Sequence, residues 1–309
     1  MNGLRRARRL VPGDRVAIIA PAGPVVAATL DAGVEILRGW GLEVVLGKHV
    51  LDRHPDFAYL AGLDADRADD LRNAWLDPDI AGVLCARGGY GCTRTLQRLH
   101  PAELAAGSPK VFAGSSDVTA LHQVFGKVLG LATLFSPMVG SAPFVDHPGA
   151  VEALRRTLFE PETALVLGGP DAGPPLVPGR ATGRLWGGNL TLLAADIGTV
   201  DAHPPPPGAI VLLEDVGEEL YRLDRMLTEL DRAGWWQQVA GFALGSWTDC
   251  GPLDAVRTLL ADRLGHLGVP IGWELGFGHC ADQLTVALGL PAELDADAGT
   301  LRLFEPALT

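Results

Sequence analysis

The chain has 309 residues, of which 48% are hydrophobic and 20% charged, and its net charge is −12. That much apolar side chain excludes a disordered polymer, and the length exceeds the size at which one core usually keeps growing, so two domains are expected. The acidic balance argues against a nucleic-acid or anionic-membrane partner, since both need a clustered excess of Lys and Arg.

The basic cluster Arg5, Arg6, Arg8 and Arg9 reads as a short arm, because Pro12-Gly13-Asp14 breaks the apolar stretch before it becomes a signal-peptide core. Residues 15 to 20, RVAIIA, form an apolar run ended by Pro21-Ala22-Gly23-Pro24, the pattern of a strand buried on both faces. Leu30, Val34 and Leu37 mark a helix, and Leu42 to Leu46 a second strand. A charged helix over Asp64 to Leu76 stops at Asp77-Pro78, and a buried strand over Ile80 to Ala86 leads into Arg87-Gly88-Gly89-Tyr90-Gly91. A helix from Cys92 to Leu99, a strand from Lys110 to Ala113, a turn from Gly114 to Asp117, a helix from Val118 to Leu129 and a strand from Ala132 to Phe135 complete the rhythm. Alternation of this kind predicts a doubly wound parallel sheet over roughly residues 10 to 165.

The stretch GGPDAGPPLVPGR, residues 168 to 180, is rich in Pro and Gly and reads as a linker between domains 1–167 and 181–309. Beyond it, Arg184 to Asp196 carries mixed strand and helix signals. An apolar strand at Ala209 to Leu213, a helix from Tyr221 to Leu230, and short strands at Leu284 to Leu288 and Leu301 to Phe304 follow. The four cysteines form neither C-x-x-C pairs nor a disulfide framework, which suits a reducing cytoplasm. The eight scattered histidines suggest no metal, and no window has the uninterrupted apolar length of a membrane-spanning helix.

Four segments are candidates for chemistry. Gly114-Ser115-Ser116-Asp117 lies between a strand and a helix, where α/β enzymes place reacting groups, and the turn would set the Ser116 hydroxyl beside free helix amides. The same tetrapeptide is equally a helix start, with Ser capping and Asp facing the dipole. Arg87-Gly88-Gly89-Tyr90-Gly91 would let backbone amides approach a ligand, though it is neither a Walker loop nor G-x-G-x-x-G, and a tight turn reads the same way. Glu214-Asp215 ends an apolar strand, with Glu218 and Glu219 close behind; a solvated loop is the plainer reading. Gly276-Phe277-Gly278-His279 presents a single histidine on a glycine-rich loop.

Together, RGGYG, GSSD, GRLWGGNLTLL at Gly183 to Leu193, LLEDVGEELYRLDRMLTEL at Leu212 to Leu230, and GFGHCADQLTVALG at Gly276 to Gly289 resemble the LD-carboxypeptidase family, which also includes microcin C immunity peptidases. The resemblance implies a flavodoxin-like N-terminal domain, a smaller swivelling β-rich α/β C-terminal domain, and a Ser-His-Glu triad between them. Carried onto this chain, the triad is Ser116, His279 and Glu214, with Glu218 as rival acid. The oxyanion donors are the amides of Asp117 and of Gly88 or Gly89. Arg87, Ser115, Arg184, Trp186 and Asn189 are candidates for substrate contact by motif position, and Trp186 or the Trp235-Trp236 pair for stacking a base. Where the family often has Gly after its histidine, this chain has Cys280, followed by Asp282-Gln283. The implied reaction is release of terminal D-Ala from murein tetrapeptide in the cytoplasm during peptidoglycan recycling, without cofactor, by a homodimer. The alternatives are an immunity-type peptidase acting on a peptidyl nucleotide and a non-catalytic protein that binds an anion in a domain cleft.

Overall fold

The apolar run at residues 15 to 20 is strand β1 (Arg15–Ile19), buried at four of its five positions, in a computed structural model that describes residues 4–309. Next come α1 (Ala27–Gly39), β2 (Glu43–Leu46), α2 (Asp64–Leu76), β3 (Ile80–Cys85), the short helices α3 (Cys92–Leu96) and α4 (Pro101–Leu104), β4 (Val111–Gly114), α5 (Thr119–Lys127) and β5 (Thr133–Phe135). Strands β1 to β5 pair in parallel, because each returns through a helix that covers the sheet.

The second half contains α6 (Ala142–Val145), α7 (Pro148–Phe159), β6 (Val166–Gly168), β7 (Gly173–Val177), β8 (Arg180–Asn189), α8 (Leu190–Ala195), β9 (Ile210–Val216), α9 (Leu220–Arg232), β10 (Gly241–Thr248), α10 (Leu253–Leu264), β11 (Ile271–Trp273), β12 (Val286–Leu288), β13 (Pro291–Asp295) and β14 (Thr300–Leu303). Its sheet has eight strands in the order β6-β14-β13-β8-β9-β10-β11-β7. The middle strands β8 to β11 are parallel, and α8, α9 and α10 pack leucines against Val211, Leu213, Phe242 and Leu244 of that sheet.

Several boundaries differ from the sequence reading: the helix expected to Leu99 ends at Leu96, β6, mostly within the expected first domain, joins the second sheet through β14, and two further departures bear on how the halves join. Residues 173 to 177 of the expected linker form β7, paired antiparallel with β11. An edge strand tolerates Pro174 and Pro175, which cannot donate to a ladder. Their carbonyls accept from Arg257 Nη2 at 3.0 Å each, and Gly173 leaves room for Trp273, whose Cδ1 would lie 2.4 Å from an added Cβ. The second departure is β12, which leaves the C-terminal region and pairs antiparallel with β5, giving the first sheet the order β12-β5-β4-β3-β1-β2. This covers an edge that β5 would otherwise expose.

The basic arm is tied down. Arg6 donates to the Pro306 carbonyl, Arg8 pairs with Asp14 and Arg9 with Glu162, while Thr309 N–H donates to Ala7.

Candidate active site

Strand β4 ends at Gly114, whose carbonyl accepts from Ser136 N–H at 3.0 Å and from His122 Nε2 at 2.9 Å. Burial holds His122 neutral, with its pKa pushed down to about 4, and its other ring nitrogen contacts Thr133 Oγ1. The strand end is thus fixed from behind. Ser115 is extended and buried; Ser116 follows with φ +61°, a conformation that an L residue with a side chain rarely adopts. Ser116 to Val118 then form one turn of 3-10 helix leading into α5.

The RGGYG loop after β3 closes on this turn. A Cβ on Gly88 would lie 2.7 Å from Ser116 Cβ, 2.9 Å from Ser116 Oγ and 3.3 Å from the Asp117 nitrogen, so only glycine fits there without displacing the serine. The N–H groups of Gly88 and Gly89 make no backbone hydrogen bond among the described residues. Buried Asp117 accepts from Cys92 N–H at 2.7 Å, which ties the loop to the serine turn; desolvation pushes its carboxyl up against the lowering effect of that bond.

Strand β9 carries Glu214 and Asp215 past the predicted end of the apolar run, both buried. Glu214 Oε2 accepts from His279 Nδ1 at 2.6 Å and from His279 N–H at 3.2 Å, and Oε1 accepts from Asn189 Nδ2 at 3.1 Å. Gly278 permits the contact, since its φ is +98° and a Cβ there would stand 2.7 Å from Glu214 Oε2. Asn189 also donates to Asp215 Oδ1 at 3.0 Å, and Thr191 donates to Asp215 Oδ2 through both N–H and hydroxyl. Burial, then the Glu214 charge, pushes the Asp215 carboxyl up to about 6. Desolvation would lower the pKa of His279, but the charge and hydrogen bond of Glu214 outweigh it, and the imidazole sits above its ordinary value.

The halves meet where Asn189 N–H donates to Thr119 Oγ1 at 3.0 Å, three residues after Ser116, and the serine turn packs against β8. Glu214 and His279 are therefore in direct contact, with Ser116 at the adjoining interface. The rival Glu218 does not join them; it pairs with Arg222 at 2.9 Å.

The substrate-contact candidates fare less well. Arg184 lies five residues below Asn189 on β8, roughly 16 Å along the strand, and lines a separate cavity of about 400 Å³ with Pro206 and Phe304. Trp186 is buried against Gly126 and donates to the His203 carbonyl, and Trp235 and Trp236 are buried, so all three indoles serve packing. Asn189 spends its amide on the two carboxylates, and Ser115 is buried. Arg87 is exposed beside the glycines, with one guanidinium nitrogen on the Pro24 carbonyl. A surface concavity of about 850 Å³ along Tyr221, Arg225 and Arg232 holds none of the site residues. Sequence reasoning missed Asp215, Thr191 and Thr119 as supports, because their signal is a pairing between segments distant in sequence.

The family profile described as LD-carboxypeptidase N-terminal domain matches residues 16–136, and that of the C-terminal domain residues 182–294. A putative carboxypeptidase of Streptomyces coelicolor is 56% identical over 100% of this chain and 99% of its own length. The murein tetrapeptide carboxypeptidase of Pseudomonas aeruginosa is 34% identical over 92% of this chain and 94% of its own. Among solved structures, muramoyltetrapeptide carboxypeptidase from Oxalobacter formigenes superposes with TM-score 0.78 at 30% identity, covering 94% of this chain and 97% of that one. MccF in complex with glutamyl sulfamoyl guanosine superposes with TM-score 0.83 at 23% identity, covering 98% and 99%, a likeness of fold.

Proposed function

The chain belongs to the LD-carboxypeptidase family, and from that premise we propose that it is a serine peptidase that hydrolyses the LD-peptide bond of murein tetrapeptide, releasing terminal D-Ala in the cytoplasm. The observation that carries this reading is the 2.6 Å contact between Glu214 and His279, together with a serine held at φ +61° on a turn that packs against β8, the strand whose Asn189 donates to Glu214. With Nδ1 donating to Glu214, the His279 Nε2 is left as the acceptor that a general base requires.

His279 takes the Ser116 proton as Oγ attacks the carbonyl carbon, and the amides of Asp117 and of Gly88 or Gly89 hold the developing oxyanion. His279 then gives that proton to the departing D-Ala nitrogen, leaving an ester on Ser116. Water, deprotonated by His279, cleaves the ester and restores the serine. Glu214 fixes the tautomer and stabilises the imidazolium, while Asn189, itself anchored on Asp215, donates to Glu214 and holds it.

Burial of Trp186, Trp235 and Trp236 takes away the indoles that the sequence offered for stacking a nucleobase, and the relatives named for murein peptides are 30–34% identical against 23% for MccF, which together favour the murein peptide over an immunity-type nucleotide substrate. The test is D-Ala release from murein tetrapeptide measured beside cleavage of an aminoacyl sulfamoyl adenosine. Turnover of the peptide alone is expected; cleavage of the nucleotide alone reverses the assignment. Labelling of Ser116 by a fluorophosphonate would speak against a merely anion-binding cleft.

A further inference from the structure

The loops after β2 and β3 bring together a row of exposed aromatic rings that the triad does not use. Phe57 and Tyr59 lie with centroids 5.8 Å apart and planes at 27°, Tyr59 and Tyr90 at 5.9 Å and 56°, and the His54 ring is 4.7 Å from Phe57. Phe57, Tyr59 and Tyr90 are 40%, 53% and 46% exposed, although aromatic rings of this size are ordinarily used for packing.

The row is joined to the serine turn. Tyr90 follows the glycines that abut Ser116, Gly23 N–H donates to the Gly88 carbonyl at 2.9 Å, and Ala61 N–H donates to the Ala22 carbonyl at 2.9 Å, just beyond Tyr59. The strand order decides which side of the serine it occupies. Ser116 follows β4; moving one way along the sheet come β3 with Tyr90, β1 with Gly23 and β2 with the 54–59 loop, and moving the other way come β5 and β12, which the His279 loop enters. The leaving amine faces the histidine that protonates it, so the aromatic row lies on the acyl side.

Three strand spacings separate β4 from β2, roughly 14 Å. Three extended acyl-side residues span about 10 Å, so they end past Tyr90 and short of the 54–59 loop, and a ring attached to the peptide's N-terminus fills the remaining few ångströms to Tyr59 and Phe57. Arg94, the cation over Phe57, is already held by Asp64 at 2.9 Å, so the row offers ring faces rather than a phosphate clamp. The negative faces of aromatic rings suit the C–H face of a pyranose.

Resting on the murein-peptidase reading above, we propose that Phe57, Tyr59 and Tyr90 form an acyl-side subsite that stacks an amino-sugar ring attached to the peptide, so that the chain prefers sugar-bearing muropeptides to free tetrapeptide.

The experiment compares kcat/KM for muramoyl tetrapeptide and for free tetrapeptide in the wild type, Phe57→Ala, Tyr59→Ala, the double variant and Tyr59→Phe, with melting temperature checked for each. The ratio of sugar-bearing to free substrate is expected to fall about tenfold for each single ring removed, and Tyr59→Phe should restore it. A ratio unchanged in the double variant overturns the subsite. A second arm titrates the disaccharide N-acetylglucosaminyl-N-acetylmuramic acid into Ser116→Ala protein and follows saturation transfer, which needs no turnover. Binding lost in the double variant supports the proposal; absence of binding, or ring-dependent binding of adenosine monophosphate instead, overturns it. If the wild type hydrolyses neither peptide, the murein-peptidase reading fails while the disaccharide arm still decides the subsite.

Discussion

Replacing Gly88 with alanine puts the geometry of the nucleophile under direct strain. Gly88 is not among the glycines with positive φ, so alanine adds no backbone penalty of the kind expected at Gly89, where φ is +99°. The new Cβ would meet Ser116 Cβ at 2.7 Å and Oγ at 2.9 Å, against carbon contacts of about 3.5–4.0 Å in a relaxed structure. One of the two must give by about 1 Å, and a displacement of that size at a reacting atom costs on the order of 100-fold in rate. Since the same methyl crowds the Asp117 amide, kcat/KM for D-Ala release should fall by about 10²–10³, or ~3–4 kcal/mol of transition-state stabilisation. Overpacking should cost the fold only about 1–3 kcal/mol, a fall of a few degrees in melting temperature. Folded protein with a rate within about threefold of wild type would refute the placement of Gly88 against the nucleophile.

Because the pKa of His279 is raised, the neutral imidazole needed as base prevails only above the ordinary histidine range, and the acid limb of the kcat/KM profile should lie above pH 6.5. Glu214→Gln should move that limb downward and cut kcat by about 10³–10⁴; a limb that stays put would detach Glu214 from His279. Glu218→Gln, which breaks only the pair with Arg222, should leave kcat within a fewfold of wild type, and a loss larger than that of Glu214→Gln would reverse the choice of acid. Asp196 is buried near Asp201 and its carboxyl is pushed up to about 7, chiefly by desolvation. Its contribution to stability is therefore complete below its unfolded pKa of 3.8 and is lost as pH rises through 7. Asp196→Asn should stabilise the protein at pH 8 by up to ~4 kcal/mol and do little near pH 3 by thermal melts; equal shifts at both pH values would contradict this.

The parallel sheet was legible because β1, β3, β4 and β5 are buried apolar runs punctuated by Gly, Pro or a charged helix, with β2 half-exposed beside them at the edge. The motifs carried the family. What local pattern could not convey was pairing at a distance: β7 inside a stretch rich in Pro and Gly, β12 returning to the first sheet, and the bridge from Asn189 to Glu214 and Asp215. Arg184 and Trp186 misled for a related reason. They share a motif with Asn189, but a ten-residue strand sends one motif to both ends of the sheet. The choice between Glu214 and Glu218 likewise turned on direction, since one side chain lies under the Gly278-His279 loop and the other pairs along its own segment.

The central claim is that Ser116 carries the acyl group between the two half-reactions. The most direct measurement is rapid acid quench of the enzyme with murein tetrapeptide, followed by peptide-level mass spectrometry. An adduct of tripeptide mass is expected on the peptide containing Ser116, absent from Ser116→Ala protein, which should release no D-Ala. Undiminished D-Ala release by Ser116→Ala, with no adduct on the wild type, would contradict it.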